Sequence, residues 1–268
     1  VTALIDADSI IYRTGFVFED ITTWNSLEVE LGLDTTPETS YSSDIQLAKN
    51  AIDALISNIL LRTNCSDYEL WLSGEDNFRY SILSTYKGNR VNARKPLDYK
   101  GLKDYLMTHY QANITYGCEA DDVVVSLKTI RPLQYVLCAI DKDVLYQTEG
   151  IHYNYGKDEF INVTQEEAER FFWYQVLVGD NTDGYSGCRG VGKVKANRLL
   201  DEAEEVCKET NIPLVNSYAS VVLRSYLDAG QPEEDFIKTC QVANMHQVKV
   251  KMSGFSLVLM NPMEYVIT

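Results

Sequence analysis

Several things are scarce in this sequence, and each shortage removes a class of protein. No apolar stretch approaches the roughly 20 residues of a membrane-spanning helix, and no secretory leader is visible. The six cysteines, at positions 65, 118, 138, 188, 207 and 240, contain no CxxC spacing. Three lie in or beside apolar runs, where a buried free thiol is the expected state, and a reducing, cytosolic compartment fits that usage. His109, His152 and His246 are the only histidines; lacking zinc-ligand spacing, they read as structural or exposed side chains. Positive charge is in short supply: 24 Lys and Arg stand against 39 Asp and Glu, for a net charge of −15. Between Arg13 and Lys49 there is no basic residue but there are seven acids. Taken as a sum, that balance argues against nucleic acid as a partner.

The placement of charge reverses that reading. Segment 86–103 carries Lys87, Arg90, Arg94, Lys95, Lys100 and Lys103 against Asp98 alone, and segment 189–198 carries Arg189, Lys193, Lys195 and Arg198 with no acid. Two basic islands in an acidic chain read as placed phosphate contacts, the plainer alternative being solvated helix faces. Much of the acid, in turn, falls in five short motifs. These are Asp6 and Asp8 in LIDADSIIY, Glu75 and Asp76 in LSGEDNFR, Glu119, Asp121 and Asp122 in CEADDVV, Asp141 and Asp143 in AIDKDVLY, and Asp180 and Asp183 in LVGDNTDG.

The 268-residue chain is 45% hydrophobic, enough for one large domain or a domain with an appended subdomain. Residues 2–5 read as a strand and 9–15 as the helix after it. The polar, acidic stretch 19–46 reads as an insertion with a short hairpin suggested by Leu27, Val29 and Leu31. Apolar residues at helical period mark 46–62, and 68–73 is a second core strand. Residues 78–108 are helical or irregular, broken near Pro96. A short strand at 113–116, a helix at 119–129 and the clearest strand, 134–140, follow, with another strand near 151–154. Thr164 and Glu167 form a capping box for a helix to about Val178. Further helices are expected at Val194–Leu200, 214–228 and 232–247, and a late strand at 255–260. Strands alternating with helices predict an α/β fold, a mainly parallel central sheet covered on both faces by helices.

Three of the acidic motifs follow an apolar run, as at the carboxyl end of a buried strand, where α/β folds place ligand groups. Two carboxylates about 5 Å apart repel by roughly 3 kcal/mol at an effective dielectric near 20. A gathered cluster therefore calls for bound divalent cations, and hard ions such as Mg²⁺ choose oxygen; a two-metal site for phosphodiester chemistry is the natural reading. Asp6 reads as a ligand and Asp8, nearer the helix start, as a helix cap or a supporting group. Three acids in four residues at Glu119–Asp122 exceed what a helix dipole requires. Gly190-Val191-Gly192 permits close backbone approach, with helix N–H groups offered to a phosphate. If helical, Lys87, Arg90 and Arg94 line one face, suited to stabilising a phosphodiester in its transition state. Tyr86 reads either as a stacking platform for a base or as core.

In order and spacing these motifs resemble the 5′-nuclease superfamily, the flap endonucleases and 5′ exonucleases of DNA replication. YKGNR (Tyr86–Arg90) resembles its arch-base motif. GCEADD, AIDKD and LVGDNTDGYSGCRGVGKVKA resemble its metal motifs and helix-three-turn-helix. YKGNR continuing to RKP, DKD, GDNTDGYSG and the tail EEDFIKTCQVANM are most similar to the 5′→3′ exonucleases of short-tailed phages. The resemblance implies a PIN-like nuclease core over 1–163, with the acidic insertion at 19–46 and a short arch at 80–110. It also implies a helix-three-turn-helix DNA-binding region over 164–268, its C-terminal helices packing back on the core. One Mg²⁺ would be held by Asp6, Glu75, Glu119 and Asp121, with Glu75 preferred to Asp76 on spacing. A second would be held by Asp121, Asp122, Asp141, Asp143, Asp180 and Asp183, some through water, with Mn²⁺ as a substitute ion. Lys87 and Arg90 would contact the scissile phosphate, and Tyr86, Arg94, Lys95, Arg189, Gly190, Gly192, Lys193 and Lys195 would contact DNA, with room for K⁺ at the 190–193 hairpin. The implied activity is 5′→3′ hydrolysis of duplex DNA at a free, nicked or flapped 5′ end, RNA–DNA hybrids being candidate substrates too, in the cytoplasm of the host if the chain is phage-encoded. The short arch favours exonucleolytic trimming over flap threading. Two rival readings draw on the same residues. A haloacid-dehalogenase-type phosphatase would use LIDAD as nucleophile motif and GDNTD as metal motif, but leaves Glu119–Asp122, Asp141–Asp143 and GVGK without a purpose. A non-catalytic DNA-end binder would gain nothing from acids facing phosphates.

Overall fold

The computed structural model describes residues 1–24, 38–90, 92–251 and 254–267. Its centre is β1 (Thr2–Asp6), whose residues Ala3, Leu4 and Ile5 are fully buried. A strand buried on both faces needs no polar alternation, which is why the run Ala3-Leu4-Ile5 is uniformly apolar. Around it lie β4 (Asp67–Leu72), β5 (Asn113–Ile114), β6 (Tyr135–Ala139), β7 (Gly150–Asn154) and β8 (Glu159–Val163), in the order β5-β4-β1-β6-β7-β8. Every pairing is parallel except β7 with β8. The sheet is thus mainly parallel, as the alternation of elements predicted; the antiparallel edge strand EFINV escaped notice because its outer residues are exposed and its pattern is weak.

Helices cover both faces. Ala3 and Ile5 share a core with α1 (Asp8–Val17), α2 (Ile45–Thr63) and α4 (Tyr99–His109), through Ile10, Ile11, Ile52, Ile56, Ile59, Leu102 and Leu106. Leu4, pointing the other way, packs with Val123, Val124, Leu137 and Val144 under α5 (Ala120–Ile130) and α6 (Lys142–Tyr146). Within the stretch 19–46, β2 (Glu19–Trp24) pairs antiparallel with β3 (Glu38–Ser43); Leu27, Val29 and Leu31 lie outside the described residues. The basic segment is not one helix: only α3 (Arg79–Ile82) and a 3-10 turn at Gly88–Arg90 precede α4.

Four helices, α7 (Gln165–Val178), α8 (Lys193–Thr210), α9 (Leu214–Asp228) and α10 (Glu233–Ala243), form a third core around Trp173, Tyr218, Tyr226 and Phe236. The Thr164–Glu167 capping box is made in both directions. α8 runs ten residues past the predicted Leu200, since Ala203 continues its buried face. The late strand is shorter than predicted: β12 (Gly254–Leu257) pairs antiparallel with β11 (Val248–Lys251). Two segments are exchanged between the cores. Ile82, Leu83 and Tyr86 pack among the C-terminal helices, while Met245 and Val248 pack beneath the sheet. All six cysteines are free. His152, buried, and His246, half-buried, hydrogen-bond to the carbonyls of Thr148 and Gln147, in structural roles. Among the described residues no helix is long and apolar enough to cross a membrane.

Between α7 and α8 the chain turns sharply at Gly179, whose φ is +75°. A Cβ there would lie 2.3 Å from the Gly187 nitrogen and 2.7 Å from the Tyr185 oxygen. Only glycine fits, and the turn sets the direction of β9 (Gly179–Asp180) against β10 (Tyr185–Ser186). Gly179→Ala is expected to destabilise the fold by at least about 1–3 kcal/mol, read as a lowered urea midpoint with unchanged slope.

Candidate active site

The carboxyl ends of β1, β4 and β6 open on one crevice of about 960 Å³. Asp6, Asp8, Glu119, Asp121, Asp141, Asp143 and Asp183 line it together with Lys87 and Arg90. This edge is where an open parallel sheet places its ligand groups, because helices leave the sheet in opposite directions there. Asp6 is the last residue of β1 and accepts the Asp8 N–H at 3.3 Å. Asp141 caps α6, accepting the Asp143 N–H at 2.9 Å. Asp121 stands in the first turn of α5, and Ser73 Oγ accepts the Ala120 N–H at 2.9 Å. Asp180 Oδ1 accepts the N–H groups of Thr182 and Asp183, at 2.6 and 3.2 Å, shaping the loop that delivers Asp183.

Two loops close the mouth. The Lys87 N–H donates to the Asp183 carbonyl at 2.7 Å, with Lys87 itself in the left-handed region at φ +50°. That conformation is costly for lysine and is held by the loop opposite, where a Cβ on Gly184 would meet the Thr85 oxygen at 2.9 Å. The Lys87 ammonium contacts Glu119 Oε1 and lies 3.9 Å from Asp183. Arg90 donates to Asp183 Oδ1 at 2.7 Å. The Tyr86 hydroxyl lies 2.8 Å from Glu119 and 3.2 Å from Asp183.

Crowded carboxylates show their repulsion. Burial first, then the charges of Asp8 and Asp141, push Asp6 up to about 8. Asp143 is pushed up to about 7, by burial and then by Asp141. Asp8 and Asp121 are also raised, chiefly by burial. Glu119 differs: burial raises it, but the charges of Lys87 and Arg79 outweigh that and hold it below the usual range. Protonation and basic neighbours therefore carry part of the neutralisation that the sequence reading gave wholly to metal.

No protein-family profile matches the chain. A DNA polymerase I from Caldicellulosiruptor bescii is 22% identical over 264 residues, covering 85% of this chain and 27% of the polymerase. An exonuclease of Escherichia phage T7 is 27% identical over 182 residues, covering 60% of this chain and 53% of the exonuclease. The chain thus spans about a quarter to a half of the length of these curated relatives. Among solved structures, the T5 D15 protein co-crystallised with metal ions aligns with a TM-score of 0.58 at 12% identity, over 91% of this chain and 89% of that one. A complex of the bacteriophage T5 D15 flap endonuclease with DNA and metal ions aligns at 0.54 and 16% identity, over 74% and 81%. The fold is that of the 5′-nucleases.

On this 5′-nuclease scaffold several predicted site residues stand elsewhere than expected. Glu75 and Asp76 line a separate cleft with Phe78, Tyr80, Tyr116 and Phe255, because the chain after β4 turns away at Gly74. Asp8 stands in the crevice instead. It is not the helix cap, a position held by Ala7; both its oxygens accept the Ser73 N–H at 3.1 Å. Asp122 is fully buried in a two-pronged pair with Arg79, at 2.7 Å on each prong, and is not among the residues lining the crevice. Tyr86, 3% exposed, is core and no platform for a base. Arg94 is tied to Glu19 at 2.5 Å and lies over the Phe16 and Tyr41 rings, and Lys95 lies over Tyr99. Arg189, Gly190, Gly192, Lys193 and Lys195 are all exposed, with Gly192 capping α8. No local pattern marks Arg79, a lone base in NFRYS, or Tyr155, whose hydroxyl donates to the Asp6 carbonyl at 2.9 Å.

The donor set fits hard cations. All of the acids are oxygen donors, and Asp143 Oδ1 is buried with no hydrogen-bond partner. Among the described residues no three acidic, cysteine or histidine side chains are already closed around one ion position, as expected where Lys87 and Arg90 hold two of the carboxylates. A pH effect follows. Asp6 and Asp143 keep protons in the folded state that the unfolded chain releases near 3.8. Their contribution to stability is full below about 3.8 and is lost as pH rises toward 7 and 8. In chelator, the melting temperature is expected to fall between pH 5 and pH 8, with a smaller fall for Asp6→Asn. A melting temperature flat across that range would contradict this account of the cluster.

Proposed function

We propose that this chain is a divalent-metal-dependent 5′ nuclease. It hydrolyses phosphodiesters at the 5′ end of duplex, nicked or flapped DNA, trimming in the 5′→3′ direction. The observation that carries this is the convergence of carboxylates from four separated stretches beside two cations, on the strand ends of a fold shared with a flap endonuclease solved with DNA and metal ions. Asp6, Asp8, Glu119 and Asp121 would hold one ion, and Asp141, Asp143, Asp180 and Asp183 a second. Mg²⁺ suits these oxygen donors, with Mn²⁺ as substitute. When bound, such ions lower the pKa of water for attack and offset charge on the leaving oxygen.

The chain's own residues supply the rest. Lys87 and Arg90 exchange their carboxylate partners for the oxygens of the scissile phosphate, which frees Glu119 and Asp183 to act as ligands. The two steps reinforce each other, since cation and phosphate each remove the partner the other must displace. Strain at Lys87 and the fixed Asp183 carbonyl keep the ammonium aimed inward. α7, the loop 179–192 and α8 act as a helix-three-turn-helix. Arg189, Lys193 and Lys195, with the open backbone at Gly190 and Gly192, grip the duplex backbone, and the 190–193 hairpin would hold K⁺, whose charge would favour a phosphate there. Among the described residues no long helix lies between Ile82 and Asp98, which favours trimming of ends over threading of flaps. The net charge of −15 is no obstacle, because much of the acid is turned into the crevice. Activity in the cytoplasm of a phage-infected host fits the T7 relative. A dehalogenase-type phosphatase would leave Glu119, Asp121, Asp141 and Asp143, which line the same crevice, and the GVGK turn without a purpose, and a mere DNA binder would gain nothing from the acids.

Asp141→Asn keeps the helix cap, since asparagine caps as well as aspartate. It is expected to melt as the parent does yet lose at least about 100-fold in turnover, roughly 2.7 kcal/mol of barrier; full activity in that variant would refute the assignment. With 5′-labelled blunt, nicked and flapped duplexes in Mg²⁺, labelled mononucleotides are expected from blunt and nicked ends. Release of intact flaps alone would overturn the trimming mode.

A further inference from the structure

Arg79 is the most enclosed cation of the fold and belongs to no predicted site. It is 1% exposed. Its Nε donates to the Val242 carbonyl at 2.7 Å and Nη2 to the Asn244 carbonyl at 3.1 Å. Nη1 and Nη2 each donate to one oxygen of Asp122 at 2.7 Å, and Nη1 also reaches Glu119 Oε2 at 3.5 Å. All five N–H groups of the guanidinium thus have an acceptor. The carbonyls lie at the C-terminal end of α10, where a cation is favoured by the helix dipole. The carboxylates lie at the N-terminal end of α5. Asp122 passes the constraint on, since its Oδ2 also accepts the Glu119 N–H at 3.1 Å.

We infer that Arg79 is a positioning residue that sets Glu119 in the crevice and makes that setting depend on how α10 is seated. Glu119 then meets Lys87 and Tyr86 with a backbone already fixed through Asp122 and a side chain steadied by the same guanidinium. This rests on the proposed metal-dependent nuclease reading, with Glu119 as a ligand. A purely structural role makes a different prediction, because a buried ion pair can often be replaced by well-packed apolar side chains without loss of stability.

The test compares the parent chain, Arg79→Lys and the double variant Arg79→Met with Asp122→Leu. Each is melted in chelator, titrated with Mn²⁺ by calorimetry, and assayed for kcat and KM on a nicked duplex. The double variant is expected to melt near the parent, yet to bind Mn²⁺ about 10- to 100-fold more weakly, the usual penalty for losing a group that orients a ligand. kcat should fall with KM little changed. Arg79→Lys keeps the charge but not the two-pronged geometry, and is expected to fold and show the same metal defect in smaller degree. Parent-like Mn²⁺ affinity and kcat in either variant would overturn the inference. So would failure of Arg79→Lys to fold, which assigns the residue to stability alone. A parent chain that neither binds Mn²⁺ nor cuts DNA would instead overturn the nuclease reading itself.

Discussion

Like-charge repulsion in one crevice is the constraint around which the structure is arranged. Eight carboxylates open into it, and each close pair costs several kcal/mol unless neutralised. The fold divides the cost three ways. Asp6 and Asp143 are driven toward the protonated form. Glu119 and Asp183 are matched by Lys87 and Arg90 at the mouth. Asp122 is withdrawn altogether and matched by Arg79 in the interior. The first two arrangements are reversible, whereas the third is built into the packing. A site of this kind is poised: its charges are balanced by partners that a cation and a phosphate can displace together.

The sheet itself sets the positions. β4, β1 and β6 are neighbours, so residues just after three distant strands meet at one edge. That much was legible in the sequence, because buried parallel strands leave uniform apolar runs, as in Ala3–Ile5 and YVLCA, and acids directly after them stand out. The capping box at Thr164 and the glycine-rich turn were equally readable, since both are local in sequence.

What was not legible depended on contacts between distant segments. Nothing local tells Glu75 that the chain turns away after Gly74, or tells Asp8 that the Ser73 N–H will draw its carboxylate into the crevice. Tyr86 sits in a basic stretch and reads equally as a stacking platform or as core, and only the C-terminal helices that claim its ring decide between them. Asp122 looks like its neighbours until Arg79 comes from 43 residues away to pair with it. Arg94, likewise, is met by Glu19 across the hairpin. In each case the side chain's fate is decided by a partner that no window of sequence contains.

The exchange of segments between cores has a mechanical consequence. Ile82, Leu83 and Tyr86 are lodged among the C-terminal helices, and Met245 and Val248 return beneath the sheet. The chain is therefore fastened like a double clasp, each portion holding a piece of the other. Neither portion can be excised without leaving an apolar hollow in its counterpart, and a hinge that opened the crevice widely would have to unfasten both catches at once.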